Sequence, residues 1–183
     1  MPDPPPAYGG IILRPFRDDD VAMLCELSTD PYLPLIGSLP PNATTQQARD
    51  FIERQHQRLP SGAGYSFCVA NRSDDRALGT AGLWIAQLPE GRATVGYAVA
   101  PSARRRGVAG NALRALTSFG WTIPELMRIE LYVESWNTGS IKVAEAAGYR
   151  REGLLRSHQP IGDRRADMLL YAVLRTDGPR SVR

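Results

Sequence analysis

Cysteine and histidine are scarce in this sequence, which holds two residues of each type among its 183 residues. Cys25 and Cys68 lie far apart, and His56 and His158 are equally isolated, so the close spacing of metal ligands is missing. We therefore expect no metal site and no disulfide framework. Isolated thiols in a chain of this size are most simply small apolar residues of the core.

Long apolar runs are also missing, since no stretch approaches the roughly 20 residues that a membrane-spanning helix needs. The opening residues, MPDPPPAYGG, lack the charged and then apolar plan of a signal peptide, and we interpret residues 1–9 as a disordered leader. These absences predict a cytoplasmic protein with no membrane partner. The length favours one folded domain, which we place at residues 10–175, followed by a frayed tail over 176–183.

Lysine is nearly absent as well, because Lys142 is the only lysine among the 22 basic residues. The formal net charge of +3 is mildly basic, which allows an anionic partner without specifying one. Composition therefore leaves the function open, and the order of the segments carries more information.

The sequence alternates between strand and helix patterns in the order β α α β β β α β α β β. The clearest strand is RIELYVES, in which Ile129, Leu131 and Val133 alternate with other residues. This order predicts an α/β sandwich built on a mixed sheet. Between the first two helices, residues 29–42 form a proline-broken loop, and loops of this length in compact domains are often functional.

The stretch ARRRGVAGNAL, residues 103–113, follows a strand pattern and opens an apolar helical pattern. A helix N-terminus leaves main-chain N–H groups unpaired and carries partial positive charge, so it attracts phosphate oxygens. Gly107 and Ala109 lack bulk, which lets a ligand approach the main chain. From these residues alone, two interpretations stay open, a phosphate-binding loop and a solvated charged surface.

Four motifs occur in a fixed order along the chain. IILRPFRDDD comes first, then Arg104-x-x-Gly107-x-Ala109, then NTGSIKVAEAAGYRREG, and finally GDRRADMLLYAVLR. Together they resemble the GNAT superfamily of N-acyltransferases, in its RimJ/RimL-type branch, and the second motif is similar to that superfamily's acetyl-CoA-binding motif. The resemblance spans about residues 10–175 and favours the phosphate interpretation.

The resemblance implies a GNAT fold, in which a central mixed β-sheet of about seven strands is flanked by four helices. Its fourth and fifth strands are expected to splay apart, so that the pantetheine arm of acetyl-CoA enters between them. A main-chain N–H near Val99 would then polarise the thioester carbonyl. The pantetheine is expected along the strand edge formed by Tyr97, Ala98, Val99 and Ala100. The phosphates are expected at Arg104, Arg105, Arg106, Gly107, Val108, Ala109 and Gly110.

Direct attack by a neutral amine, as the resemblance implies, requires two proton transfers. Ser140 is at the position where RimL-like enzymes offer a hydroxyl as acid, and its alternative role is a capping or surface hydroxyl. Asn137 is expected to cap the helix and also to contact the pantetheine. Ala144 stands where many other GNAT enzymes have a tyrosine as the acid, which favours Ser140 or water here.

The base has several candidates. Glu130 and Glu134 share a strand face near the expected cleft, and each is alternatively a plain exposed carboxylate. His158 precedes the last hairpin, in a region that helps to form acceptor pockets in this branch, and is alternatively a surface residue. Gln159 stands where some relatives have an acidic base, and Asn111 replaces a common acidic residue, so deprotonation through water stays open.

The resemblance thus implies an acetyl-CoA-dependent N-acetyltransferase that uses no metal and acts on a primary amine. A protein N-terminal amine and a small amine are both open as acceptors. Residues 29–42, the helix after Thr44 and residues 157–164 are expected to shape the pocket.

Two other classes stay open, a non-catalytic acyl-CoA sensor and a nucleic-acid-binding module that uses Arg104–Arg106. The second class needs a wider basic face and exposed aromatic residues, so we expect no nucleic-acid partner. A homodimer is also open.

Overall fold

Eight strands form one sheet in the computed structural model, which describes residues 1–177. The spatial order is β1-β2-β3-β4-β5-β6-β8-β7, and every neighbouring pair is antiparallel except β5 with β6. In chain order the strands are β1 Ala7–Tyr8, β2 Ile11–Arg14, β3 Gly64–Asn71, β4 Ala77–Trp84, β5 Arg92–Val99, β6 Arg128–Glu134, β7 Arg150–Ile161 and β8 Arg164–Leu174.

Five α-helices accompany the sheet within residues 1–177, and local capping explains where two of them begin. Thr44 and Gln47 form a reciprocal capping box before α3, while the Asn137 side chain accepts from Ser140 N at 3.0 Å before α5. None of the described helices is long and apolar enough to cross a membrane. The helices are α1 Val21–Leu27, α2 Leu33–Ile36, α3 Thr45–His56, α4 Val108–Gly120 and α5 Thr138–Ala146.

The main core lies where the helices pack on the sheet. Helix α4 buries its apolar stripe there, including Leu113 and Leu116, and β6 contributes Ile129, Leu131 and Val133. The helical and alternating periodicities of these two segments predicted those faces. A second, small cluster lies between the loop before α3 and the last hairpin. It contains Ile161, Ala166 and Met168, with Tyr32 and Tyr132 packed against it.

The sequence-based prediction of about seven strands and four helices is corrected to eight and five among the described residues. The extra helix is the single turn α2, inside the loop of residues 29–42. The extra strand is β1, so the disordered leader is wrong for Ala7 and Tyr8. These residues pair with β2, and the Tyr8 ring lies 5.5 Å from the Arg114 guanidinium carbon.

The chain remains ordered beyond β8, where Arg175–Asp177 form a 3₁₀ turn. The Arg175 guanidinium donates to the carbonyl oxygens of Leu126, Trp121 and Ile123, and Asp177 accepts from Leu174 N at 2.9 Å. The predicted frayed tail is therefore wrong for Asp177, and its residues 178–183 lie outside the described residues.

The sheet opens at its centre, between its only parallel pair of strands among the described residues. Strands β5 and β6 pair over three positions, ending at Thr94 with Glu130. Beyond that point β5 stays with β4 up to Val99, while β6 stays with β8 up to Glu134. Because β1 was not predicted, β5 and β6 are the fourth and fifth strands of the expected fold. Their separation is the predicted splay. We call the gap the strand cleft.

Candidate functional site

The chain turns sharply between β5 and α4. A 3₁₀ turn over Pro101–Ala103 follows β5, and Arg105 and Gly107 both adopt left-handed main-chain conformations, with φ of 59° and 75°. A Cβ atom at Gly107 would meet no heavy atom within 4 Å, so the space above this residue is open. Glycine suits the position because this conformation is costly for residues that carry a Cβ. We call residues 104–110 the anion cradle.

Helix α4 begins directly at the cradle. Its hydrogen-bond ladder starts with Asn111 N donating to Gly107 O at 3.0 Å, so the N–H groups of Val108, Ala109 and Gly110 precede the ladder and point out of the helix end. These N–H groups carry the positive end of the helix dipole. The arrangement fits phosphate oxygens, as expected from the sequence.

The Arg104 side chain is turned away from the helix end. Its guanidinium donates to Val99 O at 3.0 Å and to Asp30 Oδ2 at 2.6 Å, so the expected phosphate contact of this side chain is not supported. Burial alone would raise the pKa of Asp30, but bonds from Arg104 and from the N–H groups of Tyr32 and Leu33 outweigh burial and lower it. All three arginines of the cradle are exposed, and among the described residues Arg105 and Arg106 form no salt bridge.

The edge of β5 that faces the strand cleft is formed by alternate residues. Ala100 N donates to Leu78 O at 2.9 Å, which directs this N–H towards β4 rather than towards the cleft. Because main-chain groups alternate along a strand, Ala98 shares that direction, while Tyr97 and Val99 face the cleft. Of the four residues expected along the pantetheine, Tyr97 and Val99 therefore direct main-chain groups to the cleft, whereas Ala98 and Ala100 direct theirs to β4. Pantetheine binding at this edge stays a prediction.

Tyr97 and Ser140 meet on the α5 side of the cleft. The Tyr97 hydroxyl is buried and has no hydrogen-bond partner among residues 1–177. Burial raises the pKa of Tyr97, and the nearby Ser140 hydroxyl offsets the rise only in part. Asn137 performs the expected capping role through the Ser140 main chain, which leaves the Ser140 hydroxyl outside the cap. Ala144 is fully buried one turn later.

Both carboxylate oxygens of Glu130 accept hydrogen bonds from neighbouring side chains. Its two oxygens accept from Arg128 Nε at 2.6 Å and from Tyr132 Oη at 2.7 Å, and Arg128 also bonds Glu152. Burial would raise the pKa of Glu130, but these hydrogen bonds outweigh burial and lower it. Glu130 is buried, so the alternative of a plain exposed carboxylate is wrong. Its two hydrogen bonds do not favour the role of base, which stays a prediction.

Glu134 is equally buried but only half engaged. Its Oε1 accepts from Arg164 at 2.7 Å, whereas Oε2 is buried without a partner within the described chain. Burial would raise its pKa, while Arg164, Tyr32 and Trp136 lower it to below the ordinary value. The rings of Tyr32 and Trp136 meet edge to face at 4.8 Å beside this carboxylate. Glu134 therefore has one oxygen without a hydrogen-bond donor among the described residues, whereas both oxygens of Glu130 have one.

His158 lies on the outer side of Tyr132. The two rings stack with centroids 4.8 Å apart, and the imidazole is exposed. Burial, followed by the hydrogen bond to Glu130, raises the pKa of Tyr132 to about 12. Tyr132 and the neighbouring Gln159 line the cavity described next, whereas His158 is separated from it by the tyrosine ring.

A cavity of about 550 Å³ lies between the loop before α3, α3 itself and the sheet. We call it the acceptor cavity. The three segments predicted to shape an acceptor pocket all contribute to its lining. The loop provides residues 32–34 and 36–39, α3 and the turn after it provide Phe51, Gln55 and Arg58, and residues 157–164 provide Gln159. The rest of the lining comes from the end of α1 (Leu27 and Ser28), from β3 to β5 (Ser66, residues 80–82, Trp84 and residues 94–98) and from Tyr132 and Met168 across the cleft.

Sequence patterns missed three residues of this site. Asp30 fixes both Arg104 and the start of the loop, although 74 positions separate the two ionic partners. Arg58 and Trp84 line the cavity together, with the guanidinium carbon 5.2 Å from the ring centroid. No local pattern announces a contact between segments so far apart in sequence. Among residues 1–177, no group of three or more His, Cys, Asp or Glu side chains could hold a metal ion.

The fold and the site together define an acyltransferase, since a cleft between parallel strands ends in an anion cradle and adjoins a separate cavity. The sequence model of the acetyltransferase (GNAT) domain family matches residues 11–150 of this chain. The chain belongs to this GNAT acetyltransferase family, as its motifs indicated.

Individual relatives agree with this family. The chain is 29% identical over 167 residues to an uncharacterised N-acetyltransferase, p20, from Bacillus licheniformis, covering 91% of this chain and 94% of the relative. The Mycobacterium smegmatis RimJ structure, in complex with CoA-disulfide, superposes with a TM-score of 0.80 at 25% identity, covering 93% and 85% of the two chains. A putative ribosomal-protein-serine acetyltransferase from Vibrio cholerae gives a TM-score of 0.79 at 21% identity, covering 95% and 99%.

Proposed function

We propose that this N-acetyltransferase moves an acetyl group from acetyl-CoA directly to the nitrogen of a primary amine. The observation that carries the proposal is the separation of β5 from β6 after Thr94, beside the anion cradle. A long donor with phosphates at one end and an acyl group at the other fits this site. The cradle would hold the phosphate oxygens, and the cleft would take the pantetheine arm.

Acetyl-CoA supplies a thioester, which is an acyl group joined to a good leaving group. The main-chain N–H of Val99 faces the cleft and would donate to the carbonyl oxygen, which gains negative charge as the amine attacks. The amine nitrogen bonds to the carbonyl carbon, the carbon–sulfur bond breaks, the amine loses a proton and the thiolate gains one. Holding both reactants side by side supplies much of the acceleration.

We assign the proton for the departing thiolate to Ser140, because its hydroxyl lies at the cleft beside Tyr97 and takes no part in the α5 cap. For the amine, the proposed bases are Glu134, which has one unpartnered oxygen among the described residues, and His158, each acting through water. The variants Glu134→Gln and His158→Gln distinguish them. Removal of the true base lowers kcat and alters the acidic limb of the pH–rate profile.

Two acceptor classes are compatible with the relatives, a protein N-terminal amine and a small amine. The names of the similar ribosomal-protein acetyltransferases support the first class. The acceptor cavity supports the second, because about 550 Å³ is within the usual range for small-molecule sites. Both classes present a primary amine to the strand cleft.

Two measurements on the purified chain test the proposal. Calorimetry with acetyl-CoA should show saturable binding, and a thiol-release assay over small amines and N-terminal peptides should show CoA formation. Absence of acetyl-CoA binding contradicts the proposal. Binding without turnover of any amine would instead identify an acyl-CoA sensor. This alternative stays open because both oxygens of Glu130, a candidate base, already accept hydrogen bonds. Size-exclusion chromatography of the same sample tests for the homodimer.

A further inference from the structure

Within residues 1–177, Arg58 is the only charged residue in the lining of the acceptor cavity. It lies just after α3 and is half-buried. The rest of the lining is apolar, or carries neutral hydroxyl and amide groups such as those of Ser66, Thr94 and Gln55. The cavity therefore has one positive group and no carboxylate, which is an unfavourable environment for a polycationic acceptor.

The main chain and the ring beneath it hold Arg58 in place. Its carbonyl oxygen accepts from Ala63 N at 3.0 Å and from Gly64 N at 3.2 Å, which fixes the turn after α3. Its guanidinium lies over the ring of Trp84, with the carbon 5.2 Å from the centroid. The Trp84 ring in turn lies close over Gly82 and Gly96, where a Cβ atom would be about 3.1 Å from it.

The Arg58 guanidinium has no ionic partner within residues 1–177. The nine salt bridges of the described chain do not include it, and no side chain accepts a hydrogen bond from it. Burial lowers the pKa of Arg58 and no neighbouring carboxylate raises it, although a guanidinium keeps its charge in proteins. A half-buried cation on the wall of a cavity is suited to an anionic ligand group.

We propose that Arg58 and Trp84 form a carboxylate-binding subsite, and that the acceptor is a small amine that carries a carboxylate. This inference rests on the proposed N-acetyltransferase function and specifies its substrate class. The guanidinium would bind both carboxylate oxygens side by side, while the apolar loop residues Leu33 and Ile36 cover the body of the acceptor. The subsite would thus orient the amine towards the strand cleft.

A matched set of acceptors tests the proposal directly. The set contains α-amino and ω-amino acids and dipeptides as free acids, the same compounds as carboxamides, longer peptide carboxamides, and a polyamine. Charge-assisted pairing predicts that wild-type kcat/KM is about ten- to a hundred-fold higher for free acids than for their carboxamides. Arg58→Gln should abolish this preference by raising KM for the acids, while the affinity for acetyl-CoA stays unchanged.

The control is Arg76→Gln, which makes the same change at an exposed arginine in the turn at the opposite end of the β3–β4 hairpin. It should keep the preference for free acids. Arg58→Lys keeps the charge without the planar guanidinium and should retain part of the preference. Circular dichroism and acetyl-CoA affinity identify any variant that fails to fold.

Failure of the inference and failure of the function give different results. Equal or faster turnover of carboxamides, of longer peptide carboxamides or of the polyamine overturns the carboxylate subsite and leaves the N-acetyltransferase standing. If no amine is acetylated, the proposed function fails, and binding decides the subsite. Thermal stabilisation of the CoA-bound protein by free acids, absent for carboxamides and lost in Arg58→Gln, then supports it, whereas equal shifts overturn it.

Discussion

The two ends of β6 carry the same side chain on the same face, yet they differ in what surrounds it. Glu130 lies where β5 and β6 are still paired, and both of its oxygens accept hydrogen bonds. Glu134 lies where β5 has departed, and one oxygen has no partner among residues 1–177. Each residue is 4% exposed, so burial alone does not separate them. The two residues differ instead in their position along β6, relative to the point where β5 and β6 separate.

This contrast extends to the whole centre of the sheet. At the paired end, polar groups satisfy one another and stabilise the fold. At the open end, polar groups have no partner in the part of the chain that the structure describes, among them the Tyr97 hydroxyl and the first N–H groups of α4. Substitutions at the open end should therefore change ligand binding and turnover, and substitutions at the paired end should change stability.

The largest effect at the open end is expected for Gly107→Val. A β-branched residue is strained at φ 75° and would project into the open space of the cradle. We expect the affinity for acetyl-CoA to fall on the order of a hundred-fold, or about 2.7 kcal/mol, measured by calorimetry. Gly62→Val is the matched control, because Gly62 has φ 73° and open space but lies outside the cradle. Equal affinity losses in both variants would contradict the cradle.

Ser140→Ala should have the next largest effect. It removes the proposed acid but keeps the main-chain N–H that Asn137 caps, so the helix should remain intact. We expect kcat to fall roughly ten- to a hundred-fold with little change in stability or acetyl-CoA affinity, measured by steady-state kinetics. An unchanged kcat would assign the proton to water. Asn137→Ala, by contrast, should cost about 1 kcal/mol of stability through the lost cap.

Glu130→Gln tests the paired end directly. We expect the free energy of unfolding at pH 7 to fall by about 2 kcal/mol, because a charged acceptor of two hydrogen bonds is lost. The folded pKa of Glu130 is lowered, so this stabilisation is complete above the unfolded pKa and disappears as the pH falls through the lower folded value. Urea unfolding at pH 7 and at pH 3 measures the change.

Glu134→Gln should cost less than about 1 kcal/mol, since its partner Arg164 is half-exposed and screened. Glu53→Gln, on the exposed face of α3, provides the baseline for both variants. Equal losses at Glu130 and Glu134 would remove the contrast between the two ends of β6.

Tyr97→Phe should also have a small effect on stability, but in the opposite direction. Removing a buried hydroxyl without a partner eliminates a desolvation penalty, so the unliganded protein should gain about 1 kcal/mol of stability. Thermal unfolding without acetyl-CoA measures the gain. A loss of stability would indicate that the hydroxyl has a hydrogen-bond partner in solution. It would then contradict the inclusion of Tyr97 among the polar groups without partners at the open end.

Local patterns in the sequence were sufficient for the order of the elements other than β1 and α2, and for the turn and helix start of the cradle. The alternation in β6 and the helical stripe of α4 are local signals. Glycine at position 107 is a local signal as well, because it favours the left-handed conformation that precedes α4. The alternative that Glu130 and Glu134 are plain exposed carboxylates was wrong, since both are buried. The partners Arg128, Tyr132 and Arg164 cover that face of β6, and no local pattern reports such cover.

Long-range contacts explain the remaining differences. Strand β1 has two residues and depends on β2 and α4 for its order, so its own sequence carries no strand signal. Arg104 belongs to a recognisable motif, but its pairing with Asp30 depends on how the loop before α3 folds back. Arg58 belongs to no motif and becomes visible only when the cavity is formed.

The bond between Arg104 and Asp30 has a further consequence. One guanidinium joins the end of β5, through Val99 O, to the loop that roofs the acceptor cavity. A residue of the motif that resembles an acetyl-CoA-binding motif thereby supports the loop over the neighbouring cavity. Loss of the Asp30 carboxylate would therefore disturb this loop and the end of β5 at the same time.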